Sequence, residues 1–148
     1  MSELADLYQD VILEHSRHPH NFGKLEGANR EAKGNNPLCG DRVTVYLIVD
    51  GDRIVDVHFE AKGCAISVAS ASMMTTMLKG KTVAEAKALF DRFHALVTGK
   101  ANGVGEGLDE LAALSGVKDF PTRIKCATLP WHTMTAALAG TRDAVKTE

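Results

Sequence analysis

Apolar residues along 3–17 recur at helical spacing. Leu4, Leu7, Tyr8, Val11 and Ile12 fall at i, i+3, i+4, i+7 and i+8, which predicts an amphipathic helix with Ser2 as its N-cap. His18-Pro19-His20 ends it, because the residue before a proline avoids the helical region. From residue 43 the period drops to two. Val43, Val45, Leu47 and Val49 alternate with Thr44, Tyr46 and Ile48, and Asp50-Gly51-Asp52 supplies a turn. A second strand runs over 54–59, with Val55, Val57 and Phe59 on one face and Asp56 and His58 on the other. This is an antiparallel hairpin with one buried face.

Helical patterns fill most of the remainder. Residues 65–78 are rich in serine and alanine, small enough for a helix to lie close against a sheet, and Lys79-Gly80 closes them. Thr82-Val83-Ala84-Glu85 matches a capping box. The helix it opens buries Ala86, Leu89, Phe90, Phe93 and Val97 and ends at Gly99. Residues 99–107 read as a glycine-rich linker inside the domain, and 108–114 as a short helix. Pro121 suits the first turn of another helix, with Cys126 inside it. Pro130 kinks or restarts that helix, and 131–145 continues it into a polar tail. Residues 19–41, with their glycines, prolines and asparagines, read as one long loop. A third strand has room within 33–42 or 59–63. The expected class is α+β: a small antiparallel sheet of two to three strands with about five helices packed on one face.

Composition narrows the function classes. The chain has 148 residues, which fits a single domain, and 45% are apolar. The net charge of −2 gives no basic signature for nucleic acid. No apolar run approaches the roughly 18 residues a membrane span needs. Met1-Ser2-Glu3-Leu4-Ala5-Asp6 begins acidic, unlike a secretory leader. The expected setting is cytoplasmic, where thiols stay reduced.

The chemistry concentrates in three cysteines and an aspartate. Cys39 and Asp41 lie in Asn36-Pro37-Leu38-Cys39-Gly40-Asp41, Cys64 follows Gly63, and Cys126 follows Lys125. An odd number of thiols cannot all pair within one chain. Gly40 permits a turn that aims Cys39 and Asp41 at one point. Cys64 opens a helix, where the dipole favours negative charge. Three thiolates and a carboxylate would complete a tetrahedral metal site. The same cysteines also suit the role of small buried hydrophobes, and spacing alone does not choose between the two. Arg123 shares a helical face with Cys126, so it either offsets a negative site or guides an anionic group, or else is a solvated surface residue. His15 and His18 sit where a positive side chain favours a helix C-terminus. Met73, Met74 and Met77 read as core.

A longer pattern joins these segments. It comprises Leu7-Tyr8, Val11-Ile12-Leu13-Glu14-His15, Pro19, Asn21-Phe22-Gly23, Asn36-Pro37-Leu38-Cys39-Gly40-Asp41, Gly63-Cys64-Ala65-Ile66-Ser67, Ala69-Ser70 and Lys125-Cys126. Over about residues 3–142 the chain resembles the U-type iron–sulfur cluster assembly proteins (IscU, SufU and the N-terminal part of NifU). The resemblance implies a SufE/NifU-like fold over 1–148, with Cys39, Asp41, Cys64 and Cys126 as the metal and sulfur site. Cluster scaffolds of the family carry a histidine before the third cysteine, where this chain has Lys125. That departure, and an insertion around 99–118, resemble the SufU branch. The branch implies a zinc-dependent sulfurtransferase. It would take persulfide sulfur from a pyridoxal-phosphate cysteine desulfurase, SufS-like, for downstream assembly proteins, with Cys39 as acceptor. The alternative is a scaffold on which a [2Fe–2S] cluster is built.

Overall fold

The structure is a computed structural model that describes residues 3–37, 40–100, 109–140, 145 and 146. Its elements are α1 Glu3–Arg17, β1 Arg30–Asn36, β2 Asp41–Asp50, β3 Arg53–Lys62, α2 Ala65–Leu78, α3 Val83–Val97, a 3-10 segment Asp109–Asp119, α4 Pro121–Ala139 and β4 Val145–Lys146. The sheet order is β3-β2-β1-β4. β2 pairs antiparallel with β1 and β3, and β4 adds a short parallel pairing to β1. The α+β class holds. α2 and α4 lie on the sheet, while α1, α3 and the 3-10 segment pack behind them.

The hairpin is β2–β3. Val43, Val45 and Leu47 are buried as their alternation predicts. On β3 the inner face is instead Ile54, Val57 and Phe59, all fully buried, and Val55 is 50% exposed. The pairing passes from Ile48↔Asp56 to Val49↔Ile54. Val55 is therefore an extra residue in the ladder, a bulge that turns the strand's first residues over.

β1 falls inside the segment expected to be a loop and overlaps the 33–42 window in which a third strand had room, though it starts earlier, at Arg30. Its buried residues are Ala32, Gly34 and Asn36, so it lacks the apolar alternation that announces a strand. It is a strand because α4 sits almost on its backbone. A Cβ on Gly34 would overlap Thr133 Oγ1 and come within 3.0 Å of Leu129 Cδ1. Residues 21–23 run along the free edge of β3. Gly23 N–H donates to Phe59 O at 2.8 Å, and Phe59 N–H to Asn21 O at 3.1 Å. This covers an edge that would otherwise pair with another chain.

The α2–α4 contact uses small residues, including buried Ser67, Ala69, Ser70 and Ala71. Ser70 Oγ donates to Ala127 O at 2.6 Å and accepts from Trp131 Nε1 at 3.2 Å. Trp131 stacks on Phe93 with centroids 5.0 Å apart, joining α4 to α3. The Thr82–Glu85 capping box forms in both directions. Phe90 is only partly buried against the core, whereas Leu96 is buried.

The helical expectations change at three points. Pro130, expected to kink or restart the helix, does not restart it: α4 runs through it to Ala139. The helix does not reach 145: Gly140, with φ 76°, closes it, and Val145–Lys146 form β4. Of the segment expected to be a short helix over 108–114, Leu108 lies outside the described residues, and from Asp109 the chain is a 3-10 run that continues to Asp119 and buries Leu111, Leu114 and Val117. Ser2 and positions 101–107 of the expected linker lie outside the described residues. Among the described residues no helix is long and apolar enough to cross a membrane.

Candidate metal centre

Three chain segments converge at one end of the sheet. β2 begins at Asp41, directly after Gly40, whose φ of 72° favours glycine. Asp41 pairs with Asn36 across the ladder and is fully buried. At the same end β3 finishes at Lys62, and Gly63-Cys64 leads into α2 with Cys64 as its N-cap. Asp41 Oδ1 accepts the Cys64 N–H at 2.8 Å. This places a carboxylate at a helix N-terminus, where negative charge is favoured. The approach requires Gly63. A Cβ there would overlap Asp41 Oδ1 and sit 2.9 Å from its Cγ.

The third segment is α4. Its seat on β1 and β2 carries Cys126, fully buried, to the same point. Cys64 Sγ lies 3.7 Å from Asp41 Oδ2. Donor atoms of Asp41, Cys64 and Cys126 all lie within 4.8 Å of one another. Two sulfurs and a carboxylate oxygen at this spacing could hold a metal ion. They form a borderline-soft donor set suited to Zn²⁺, with one position left for a fourth ligand.

Arg123, largely exposed on α4, reaches this group. The negative charge of Cys64 is the main cause that lifts its guanidinium further above the ordinary arginine range. Charge at Cys126 and hydrogen bonds to both sulfurs add to this, against a partial opposing effect of burial. Cys64 and Arg123 also line a groove of about 620 Å³ with Ile12, Ala65, Ile66, Ala113, Gly116, Val117 and Phe120. Phe120 is 60% exposed. The centre is thus partly open on its Cys64 side.

The sequence expected Cys39, Asp41, Cys64 and Cys126 at one site, with Arg123 nearby. The structure brings together Asp41, Cys64, Cys126 and Arg123. Cys39 lies outside the described residues. The groove escaped sequence reasoning because Ile12 and Phe120 are distant in the chain from the cysteines. The constraint on Gly63 was visible only as a glycine beside Cys64. His15, read from its helix-end position, is buried in the structure, with Nδ1 2.7 Å from Ser72 Oγ. The same oxygen accepts the His20 N–H at 2.8 Å. His15 therefore helps to anchor α1 and the following loop on α2.

Residues 7–127 match the model of the NifU-like N terminal domain. The chain is 42% identical over 144 residues to the iron-sulfur cluster assembly scaffold protein IscU of Streptococcus pyogenes serotype M1, covering 97% of this chain and 90% of that one. It is 41% identical over 138 residues to the zinc-dependent sulfurtransferase SufU of Bacillus subtilis, covering 93% of each. Among solved structures it is similar to FiSufU of Fervidobacterium islandicum AW-1, described as an iron-sulfur cluster assembly scaffold protein for the SUF system. There the TM-score is 0.80 and the identity 38%, over 93% of this chain and 96% of that one.

Proposed function

The chain belongs to the NifU-like N-terminal domain family, and on that premise we propose that it is a zinc-dependent sulfur acceptor. In this reading Cys39, Asp41, Cys64 and Cys126 hold one Zn²⁺. The sulfur comes from a pyridoxal-phosphate cysteine desulfurase of the SufS kind and passes to downstream iron–sulfur assembly proteins in a reducing, cytoplasmic setting. The observation that carries the reading is the convergence of Asp41, Cys64 and Cys126 donor atoms within 4.8 Å. Cys39 is two positions from Asp41 across Gly40, close enough in the chain to supply the fourth donor. Zinc, when bound, would keep its cysteine ligands ionised near neutral pH.

Cys39 is the acceptor in this proposal, because a glycine-flanked turn moves at lower cost than a cysteine inside a packed helix. Its thiolate attacks the outer sulfur of the donor's protonated persulfide. A new sulfur–sulfur bond forms on Cys39, the donor's own bond breaks, and the donor cysteine leaves as a thiolate. The proton stays on the transferred sulfur, so charge and atoms balance. Asp41, buried and bound to the Cys64 N–H, keeps a ligand in place while Cys39 reacts.

A scaffold role for a [2Fe–2S] cluster is the second reading. It is favoured by the 42% identity to a relative named as a scaffold, and opposed by Lys125 immediately before Cys126. Metal analysis and an absorption spectrum on protein purified without added metal separate the two. The expected result is one zinc per chain and no visible colour. After incubation with desulfurase and cysteine, mass spectrometry should then show one added sulfur on wild type and none on Cys39→Ala. Brown protein with stoichiometric iron and sulfide would favour the scaffold. Normal sulfur uptake by Cys39→Ala would remove Cys39 from the acceptor role.

A further inference from the structure

We infer that Ser67 is a positioning residue whose hydroxyl donates a hydrogen bond to the Cys126 sulfur when that sulfur ligates a metal. The inference rests on the metal-centre reading above and adds a group to it.

Ser67 lies on α2, three residues after Cys64, and is 1% exposed. Among the described residues its buried Oγ has no hydrogen-bond partner. Other helical hydroxyls are satisfied locally. Those of Thr75, Thr76, Thr128, Thr133 and Thr135 each donate to a carbonyl three or four residues back, the bond such groups ordinarily make in a helix. Ser70, the next serine on the same stripe of α2, donates to Ala127 O at 2.6 Å. A buried hydroxyl with no partner keeps the full cost of its lost water. Beside a cluster of metal-binding donors, such an orphan marks a bond that ligation completes.

Its position names the acceptor. Cys64, Ser67 and Ser70 follow one another at intervals of three, which makes each a neighbour of the next on the helix surface. Cys64 meets Cys126, with donor atoms within 4.8 Å, and Ser70 meets Ala127. Ser67 is bracketed by these two contacts, so its hydroxyl faces the turn of α4 that carries the fully buried Cys126. A neutral thiol is a weak acceptor. A metal-bound cysteine is a thiolate, and hydrogen bonds to charged groups are markedly stronger. Groups that hydrogen-bond to metal ligands orient them and tune their donor strength.

The test compares wild type, Ser67→Ala and Ser70→Ala. Urea midpoints are measured on the metal-free proteins, zinc affinity by competition with a chromophoric chelator, and sulfur-to-cobalt charge-transfer bands on the Co²⁺-loaded proteins. Ser67→Ala removes a hydroxyl that has no partner, so its metal-free midpoint should equal or exceed that of wild type. Its zinc affinity should fall about tenfold, because the lost bond is made to the ligated sulfur alone. Loss of an O–H···S bond raises the energy of the sulfur lone pairs, so its cobalt bands should move to lower energy. Ser70→Ala breaks two existing bonds and should behave oppositely, with a lower midpoint and unshifted bands. A metal-free Ser67→Ala midpoint below wild type would overturn the inference, because the hydroxyl would then serve the fold alone. Wild-type bands without a Ser67→Ala shift would sink this inference and leave the metal-centre reading standing. A wild-type protein with no such bands would sink both.

Discussion

The centre draws on two regions that hold their donors by different means. Cys64 and Cys126 ride on α2 and α4, whose contact is buried along its length from Ser67 to Trp131. Asp41 stands at the end of a strand and its carboxylate accepts from Cys64 N and Cys64 Sγ, with room only because residue 63 is glycine. In the helix half, position is a consequence of the core. In the strand half, it is a local arrangement that the core barely senses. The two halves should therefore fail differently, stability and metal together in the first, chiefly metal in the second.

The largest break should come from Gly34→Val. Its side chain would drive into Thr133 and Leu129 and lift α4 from β1. We expect a loss of about 1–3 kcal/mol, as for overpacking in a core, read by urea denaturation. Zinc content should fall as well, because Cys126 moves with the helix. Unchanged stability would mean that the close approach of α4 is not a constraint. Gly63→Ala is the counterpart in the strand half. It displaces Asp41 and weakens one hydrogen bond, so stability should fall by only about 1 kcal/mol, while zinc binding weakens clearly. If Gly63→Ala cost as much stability as Gly34→Val, the distinction between the halves would collapse.

The same contrast explains what was legible in the sequence. The hairpin, the capping box of α3 and the cysteine at the head of α2 each carry a local signal: alternation, Thr82 with Glu85, and Gly63 before Cys64. β1 carries none. Its strand state is imposed by α4, about a hundred residues away in the chain, and Ala32, Gly34 and Asn36 register only the narrowness of the gap. Val55 misled for a related reason. Alternation assumes an unbroken ladder, and the bulge opposite Ile48 and Val49 has no marker in β3 itself. In the candidate centre, cysteine and aspartate announced their chemistry by type. The partnership of Arg123 with Cys64 needed the α2–α4 packing to become visible.

The helix half also rests on a titratable group, which gives a smaller prediction. His132, next to Trp131 on α4, is partly buried and meets Phe90 edge-on with centroids 5.0 Å apart. Burial, and then the neighbouring His94, hold its pKa below the ordinary 6.5. In the window between that value and the lower folded one, the unfolded chain binds a proton that the folded chain refuses. Stability contributed by neutral His132 is thus fully present above pH 6.5 and is lost as pH falls through the window. A His132→Gln chain should match the wild-type slope of stability with pH above 6.5 and show a flatter decline below it. The difference should stay under about 1 kcal/mol. Hydrogen exchange should place the wild-type loss in α4 and leave the Asp41 end of β2 to fail with the global transition. An acid limb identical in both proteins would mean that His132 is not the group that loosens the helix half.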